Sequence, residues 1–389
     1  MENNISNKDL NWSKILMFVL LLSFCFPNFA LFYINGQKIM LYRIIVAVYS
    51  TLLLLKSKIS IPSKSILLFI IYMILQSIIL SFSYGYDRLL FDYIFAFFIL
   101  IDVYNIGKNI RKDEWIGIIQ IVSIIMVFSI LINIFIQREN IIYFLKNQST
   151  NHPVYKCIFT GGWNLEATWP ALFVLFYLNK PKIGYIYWIM SSLISVLLAS
   201  RIGIIINFFG FLYLTNAVIK LNDKKNEKKF LVFISFIIFS LILAFVLDFN
   251  IIESIKNRLI NIGKDSGSVS RLNMWENIYK AFVNSPFGYG SGNAIKGVKI
   301  FSKVWIGEDN VHNLFFQMLL DYGFIGFIVY TLFVFNFIKS NIKDFFTNPI
   351  ISFLILYIAA GLIQFKGAEL ITFYIIAIYL VQKEQEKEE

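Results

Sequence analysis

The sequence predicts an all-α polytopic membrane protein, about twelve transmembrane helices with a large external loop between helices 9 and 10. Three observations predict it. The chain is 58% hydrophobic and 18% aromatic but only 15% charged, with mean hydropathy +0.69, a composition that excludes an ordinary water-soluble domain. Apolar runs long enough to cross a bilayer recur along its whole length. Basic residues alternate between the ends of those runs as an inside-positive chain requires. The two cysteines, Cys25 in a predicted helix and Cys157 in a predicted loop, form neither a disulfide framework nor a zinc motif.

A crossing helix needs roughly 20 apolar residues. The candidates fall near 15–34, 39–55, 65–83, 89–106, 115–137, 163–179, 183–199, 201–219, 230–248, 313–338, 348–365 and 369–382, the last being short. No small-residue cleavage site follows the first, so it reads as an anchor and not as a signal peptide. With the N-terminus inside, the cytoplasmic segments hold nineteen of the 35 basic residues, which supports twelve spans with both ends cytoplasmic. The basic run KLNDKKNEKK at 220–229 fits that pattern as a topology signal beside anionic lipid, and no nucleic-acid partner is expected.

One membrane domain therefore has three stretches: residues 1–248 with helices 1–9 and an external loop at 138–162; residues 249–312 as a large external loop; and residues 313–389 with helices 10–12 and a cytoplasmic tail. Loops of such length usually carry function. The larger one is punctuated by glycines, contains NMWENIYKAFVNS as a potential surface-lying amphipathic helix, and holds eight Lys/Arg against five acids, a mild excess that favours an anionic ligand.

Charges inside spans are costly and usually face a wet interior. On this topology Arg43, Asp92, Glu166, Arg201, Asp248, His312 and Glu369 all fall near external ends of their helices, which predicts a polar pocket opening outward. Interfacial snorkelling accounts for some of them individually, Arg43 in particular. Arg201 starts a helix after a tight turn. Helix-end N–H groups with a guanidinium make a phosphate site, and an anchoring arginine is the plain alternative. Asn313, Gln317 and Asp321 recur every four residues and share one helix face. A continuous helix would place Asp321 about 13 Å deeper than His312, in a supporting role.

Four motifs follow in order: SRLNMW at 270–275, SPFGYGSG at 285–292, DNVHN at 309–313 and DYGFIG at 321–326. With ASRIG around Arg201, this order resembles the shared domain of the O-antigen ligase and O-antigen polymerase superfamily. The matching positions are Arg271, Trp275, Pro286, Gly288, Gly290, His312, Asn313, Gly323 and Gly326. The resemblance implies a GT-C-like glycosyltransferase of the bacterial inner membrane that acts at the periplasmic face on undecaprenyl-diphosphate-linked glycans.

It further implies that Arg201 and Arg271 hold the lipid diphosphate and that His312 lies beside the reacting hydroxyl, with Asn313, Asp321, Trp275 and Glu166 in support. Two fixed arginines can neutralise a leaving diphosphate without a metal. A neutral imidazole can take the proton of an acceptor hydroxyl. Neither a cofactor nor an essential metal is expected. Tyr289 and Trp305 are candidates to stack on a sugar. Implied partners are the lipid-linked oligosaccharide, an acceptor glycan (a lipid-linked repeat unit or lipid A core), membrane lipid and a chain-length regulator protein.

The first reading is a polymerase of O-antigen or capsular repeat units, favoured by the Lys/Ile/Asn/Phe-rich composition. The alternative is an O-antigen ligase that moves finished polymer to lipid A core. A flippase or other transporter is the reading from another class. It calls for polar groups near the midplane and for related halves, whereas the ionisable groups here gather near the external surface.

Overall fold

The computed structural model describes residues 7–27, 29–34, 37–55, 59–146, 155–157, 162–221, 266–308 and 310–388. The expected span at 230–248, Asp248, most of the basic run at 220–229 and the first part of the large loop lie outside the described residues.

Helices dominate. Five described stretches are long and apolar enough to cross a membrane: Lys64–Tyr84, Leu89–Gly107, Lys112–Ile136, Arg201–Ile219 and Leu314–Asp344. Asn11–Cys25, Leu41–Leu54 and Pro349–Gly361 are shorter apolar helices. The chain is thus a multi-pass, mainly helical membrane protein. The expected first span differs in detail. α1 (Asn7–Cys25) stops before Phe26-Pro27, because the residue ahead of a proline is driven out of the helical region. Residues Ala30–Ile34 then pair antiparallel with Gln37–Met40 as a small hairpin (β1, β2), so residues 30–34 are strand where helix was expected.

The chain divides into two compact units. The first comprises residues 1–122, 270–342 and 357–389. In it α2 (Leu41–Leu54), α3 (Lys64–Tyr84) and α15 (Leu370–Glu388) pack on α4 (Leu89–Gly107). The fully buried Tyr93, Ala96, Ile99, Leu100 and Val103 form α4's contribution to the core. Removal of such side chains from a polar surround stabilises by roughly 1.5–3 kcal/mol each in water, and by packing alone where the surround is lipid. The large loop continues as α10 (Ser266–Glu276), α11 (Ile278–Asn284) and α12 (Ala294–Phe301), so NMWENIYKAFVNS is two short helices parted at Asn277 and not one. Met274, Ile278, Ala281, Tyr289, Ala294, Val298, Val311 and Leu320 form their shared core.

The second unit comprises residues 123–269 and 343–356. α7 (Trp163–Phe173) tightens after Pro170 into a 3-10 turn over Val174–Tyr177, so the expected span at 163–179 changes helix type midway. α8 (Pro181–Leu197) and α9 (Arg201–Leu221) pack on it. Gly203 allows this approach: a Cβ there would stand 2.6 Å from Ser195 Oγ and 3.1 Å from Ala167 Cβ.

Candidate active site

The expected span at 313–338 is not a straight helix. α13 (Leu314–Asn341) is interrupted at Gly323, whose φ of 65° and ψ of −164° are non-helical. The rings of Phe315 and Tyr330 stand 5.4 Å apart, although fifteen residues of straight helix would separate them by about 22 Å. The chain therefore turns sharply at Gly323, and the depth expected for Asp321 along one continuous span does not follow.

A sharp break strands backbone groups that must find other partners. The SPFGYGSG turn supplies most of them. Tyr289 N donates to Leu320 O at 2.8 Å, Gly290 N to Asp321 O at 2.9 Å, and Phe324 N to Pro286 O at 3.0 Å. Tyr72 Oη donates to Tyr322 O at 3.2 Å from α3. Gly288 and Gly290 adopt φ of 94° and 85°, a region open to glycine at little cost. The Asp321 side chain completes the splice. Its fully buried carboxylate accepts from Ala294 N (2.8 Å), Gly292 N (2.9 Å) and Gln317 Nε2 (2.7 Å). Asn313, Gln317 and Asp321 do share one helix face, and that face is structural.

His312 stands at the entry to this helix. Its backbone is left-handed, φ 51°, a conformation costing an L-residue roughly 1–2 kcal/mol. Several bonds hold it there. His312 N donates to Asn310 Oδ1 at 2.8 Å, and Val311 N to Gln317 Oε1 at 3.3 Å. Trp275 Nε1 donates to Val311 O at 3.0 Å, so this tryptophan fixes the residue before the histidine. Asn313 caps the helix by accepting from Phe315 N and Phe316 N, both at 3.0 Å, and donates to Leu362 O. Strained backbone held by many contacts is a mark of functional sites.

The imidazole ring is 13% exposed, and its Nε2 lies 2.9 Å from Glu308 Oε2. Nδ1 is buried with no hydrogen-bond partner among the described residues. Arg271 is half-buried on α10, one turn before Trp275 and on the same face. The first unit thus gathers Arg271, Trp275, His312, Asn313 and Asp321 into one folded module. Reading the sequence missed Glu308; its position four residues before the only described histidine was the available signal.

Of the two candidate sugar-stacking aromatics, Tyr289 is ruled out by burial. It is 0% exposed, donates its hydroxyl to Ala281 O and packs on Tyr84 at 4.8 Å. Trp305 is 90% exposed.

Arg201 and Glu166 belong to the second unit. Arg201 occupies the first position of α9, after a turn in which Ala199 is left-handed (φ 48°) and Ser200 N donates to Ser195 O at 2.9 Å. Ser200 Oγ accepts from Gly203 N at 3.3 Å, so the helix start is set by a serine cap. Glu166 is fully buried in the first turn of α7. Nearby, burial pushes the Tyr155 phenol and the Cys157 thiol well above their ordinary ranges, and the Glu166 carboxylate adds to both shifts. Tyr155 Oη also accepts from Asn133 Nδ2 at 2.8 Å.

Arg43, Asp92 and Glu369, all in the first unit, interact electrostatically. Asp92 accepts from Tyr42 Oη at 3.3 Å, and Tyr42 Oη accepts from Arg43 Nε at 3.2 Å. Glu369 accepts from Lys366 N, Gly367 N and Tyr357 Oη. Beside the Gly323 break lies an apolar cavity of about 330 Å³, lined by Tyr72, Phe282, Pro286, Phe287, Tyr322 and Phe324 among others. Among the described residues no group of three His, Cys, Asp or Glu side chains is placed to hold a metal ion.

No curated protein matches the chain. Residues 185–331, the stretch that holds Arg201, Arg271, Trp275, the glycine turn and His312, match the family model described as O-antigen ligase, and over this stretch the chain carries the domain of the O-antigen ligase and polymerase superfamily.

Proposed function

We propose that the protein is a glycosyltransferase that polymerises O-antigen or capsular repeat units carried on undecaprenyl diphosphate. In this reading it crosses the bacterial inner membrane about twelve times, keeps both termini in the cytoplasm and works at the periplasmic face. The observation that carries the proposal is His312, held in a left-handed backbone at a helix entry with a buried ring nitrogen that has no partner among the described residues. A residue held so expensively suits a base that must meet one hydroxyl in one orientation.

The chemistry is an inverting displacement. The imidazole takes the proton of the acceptor hydroxyl as its oxygen bonds to the anomeric carbon. The bond from that carbon to the diphosphate breaks, and the electron pair leaves with the lipid diphosphate. Arg201 and Arg271 neutralise the charge that grows on it. Asn313, Asp321 and Trp275 hold the base in place, and Glu166 supports the second unit. The acceptor is a new lipid-linked repeat unit, and a chain-length regulator would act on the product.

The second reading is ligation of finished polymer to lipid A core, favoured by the description of the matched family. Deletion of the gene separates the two. Single repeats on the core support polymerisation, whereas bare core with polymer left on the carrier supports ligation. Reconstituted protein that moved lipid-linked sugar across vesicles without forming a glycosidic bond would overturn both.

A further inference from the structure

We infer that Glu308 is a positioning residue for His312 that fixes the imidazole in the Nε2–H tautomer, making Nδ1 the atom that receives the acceptor's proton. The inference rests on the proposed role of His312 as base. A carboxylate accepts only, so the 2.9 Å contact between Glu308 Oε2 and His312 Nε2 requires the proton on Nε2. Nδ1 then carries the lone pair. The pairing is local and built into the chain. Glu308 and His312 are four residues apart with no helix between them, and the bond closes only because the backbone turns at Asn310 and His312. The same Asn310 side chain that accepts from His312 N makes this turn.

The ring has two nitrogens and only one is satisfied. Leaving a buried acceptor without a donor costs roughly 1–3 kcal/mol, and native structures keep few such groups. Nδ1 of His312 is one of them among the described residues. A hydroxyl supplied by the acceptor glycan satisfies it. Nδ1 is buried in this structure, and hydrogen bonds of catalysis commonly close only in the substrate complex. Glu308 itself is 24% exposed at its side chain, and its carboxylate stabilises the imidazolium that forms when Nδ1 takes the proton. No proton passes to Glu308; as Nδ1 takes the proton the acceptor oxygen bonds to the anomeric carbon, and the bond from that carbon to the diphosphate breaks with its electron pair leaving on the lipid diphosphate.

The test joins a spectrum to a rate. The chain has two histidines, so a His152→Gln background leaves His312 as the sole imidazole for ¹⁵N-histidine NMR in nanodiscs. The neutral ring is expected to be protonated at Nε2, and Glu308→Gln, whose amide can donate as well as accept, is expected to mix or reverse the tautomers. Turnover is measured in vesicles with undecaprenyl-diphosphate glycan extracted from a strain lacking the gene. Glu308→Gln should lower kcat about 10- to 100-fold with KM for the lipid-linked donor unchanged. An Nδ1–H tautomer in the parent protein, or wild-type kcat in Glu308→Gln, overturns the inference. Full activity of His312→Gln would instead remove the proposed base, and a dead His312→Gln beside an unaffected Glu308→Gln would remove only the role of Glu308.

Discussion

Gly288 and Gly323 lie against each other's backbone: a Cβ on Gly288 would fall 2.4 Å from Asp321 O, and one on Gly323 would fall 2.3 Å from Pro286 O. The turn in the external loop and the break in α13 are therefore one joint, each supplying the hydrogen bonds that the other lacks. Both positions also need positive φ. Gly288→Ala and Gly323→Ala are each expected to cost at least ~2 kcal/mol, since strain and overlap act together. The double variant should cost much less than the sum, because either change already opens the joint. Thermal unfolding of the detergent-solubilised variants measures this, and strict additivity would contradict it.

Asp321 is expected to matter to stability before chemistry. Its carboxylate meets three N–H donors and no hydrogen-bond acceptor in the contacts described above. In Asp321→Asn an amide group would have to turn toward one of those donors, leaving buried N–H groups facing each other. A loss of about 2–4 kcal/mol follows from hydrogen bonds to a charged group exchanged for an unsatisfied one. Folded protein recovered at low temperature should still turn over. A dead but fully stable Asp321→Asn variant would show that the carboxylate acts on the substrate.

Trp275→Phe isolates one hydrogen bond. The phenyl ring can keep the edge contact with Phe316, now 5.9 Å between centroids, while the donor to Val311 O is lost. The stability cost should be about 1 kcal/mol. Because Val311 precedes the strained His312, the activity loss should be larger, ~10-fold in kcat, in line with the steep cost of small displacements in a reacting group. Equal binding of donor by both proteins with slower transfer by the variant is the expected result.

Cys157 reports on the second unit. Burial, and after it the Glu166 carboxylate, raise its thiol above the ordinary range. The thiolate is the reactive form, so a raised pKa means less of it at any pH near neutrality. In a Cys25→Ser background, maleimide labelling of Cys157 should be slow at neutral pH and still rising at pH 9. Glu166→Gln removes the second cause and should speed labelling, while burial keeps the rate below that of a free thiol. Labelling as fast as a free thiol in the parent protein would mean that Cys157 is not so enclosed.

Much of this was legible in the sequence because composition and spacing act through simple physics. Apolar runs of sufficient length at Lys64–Tyr84, Leu89–Gly107 and Lys112–Ile136 fold as expected. Pro27 ended α1 early, and the proline was visible, but an apolar stretch beyond it still read as membrane helix. The Gly323 break was harder. DYGFIG sits inside an unbroken apolar run, and one glycine in such a run is usually tolerated; only the turn at 285–292, distant in sequence, makes the break necessary. For the same reason Tyr289 looked available when it is core, whereas Glu308, with its partner only four residues on, looked like one loop acid among several. Tertiary pairing decided the Gly323 break and the burial of Tyr289, and single-residue spacing carries no record of it; the Glu308–His312 contact is local, and a spacing of four was its only sign.

Arg201 and Arg271 offer the clearest test of the proposed leaving-group chemistry. A guanidinium presents a planar fork to two phosphate oxygens, which a lysine ammonium cannot reproduce. If each arginine neutralises charge that grows as the diphosphate departs, its effect falls on the transition state more than on the bound donor. Arg201→Lys and Arg271→Lys should then lower kcat on the order of 100-fold or more, the scale of losing one fixed charge-stabilising donor. KM for the lipid-linked donor should move far less. With the charge met by two side chains, transfer should also persist after EDTA treatment. Restoration of an EDTA-inactivated enzyme by a divalent cation would require a different account of the leaving group. A pure KM effect for either lysine variant would reduce that arginine to a docking contact.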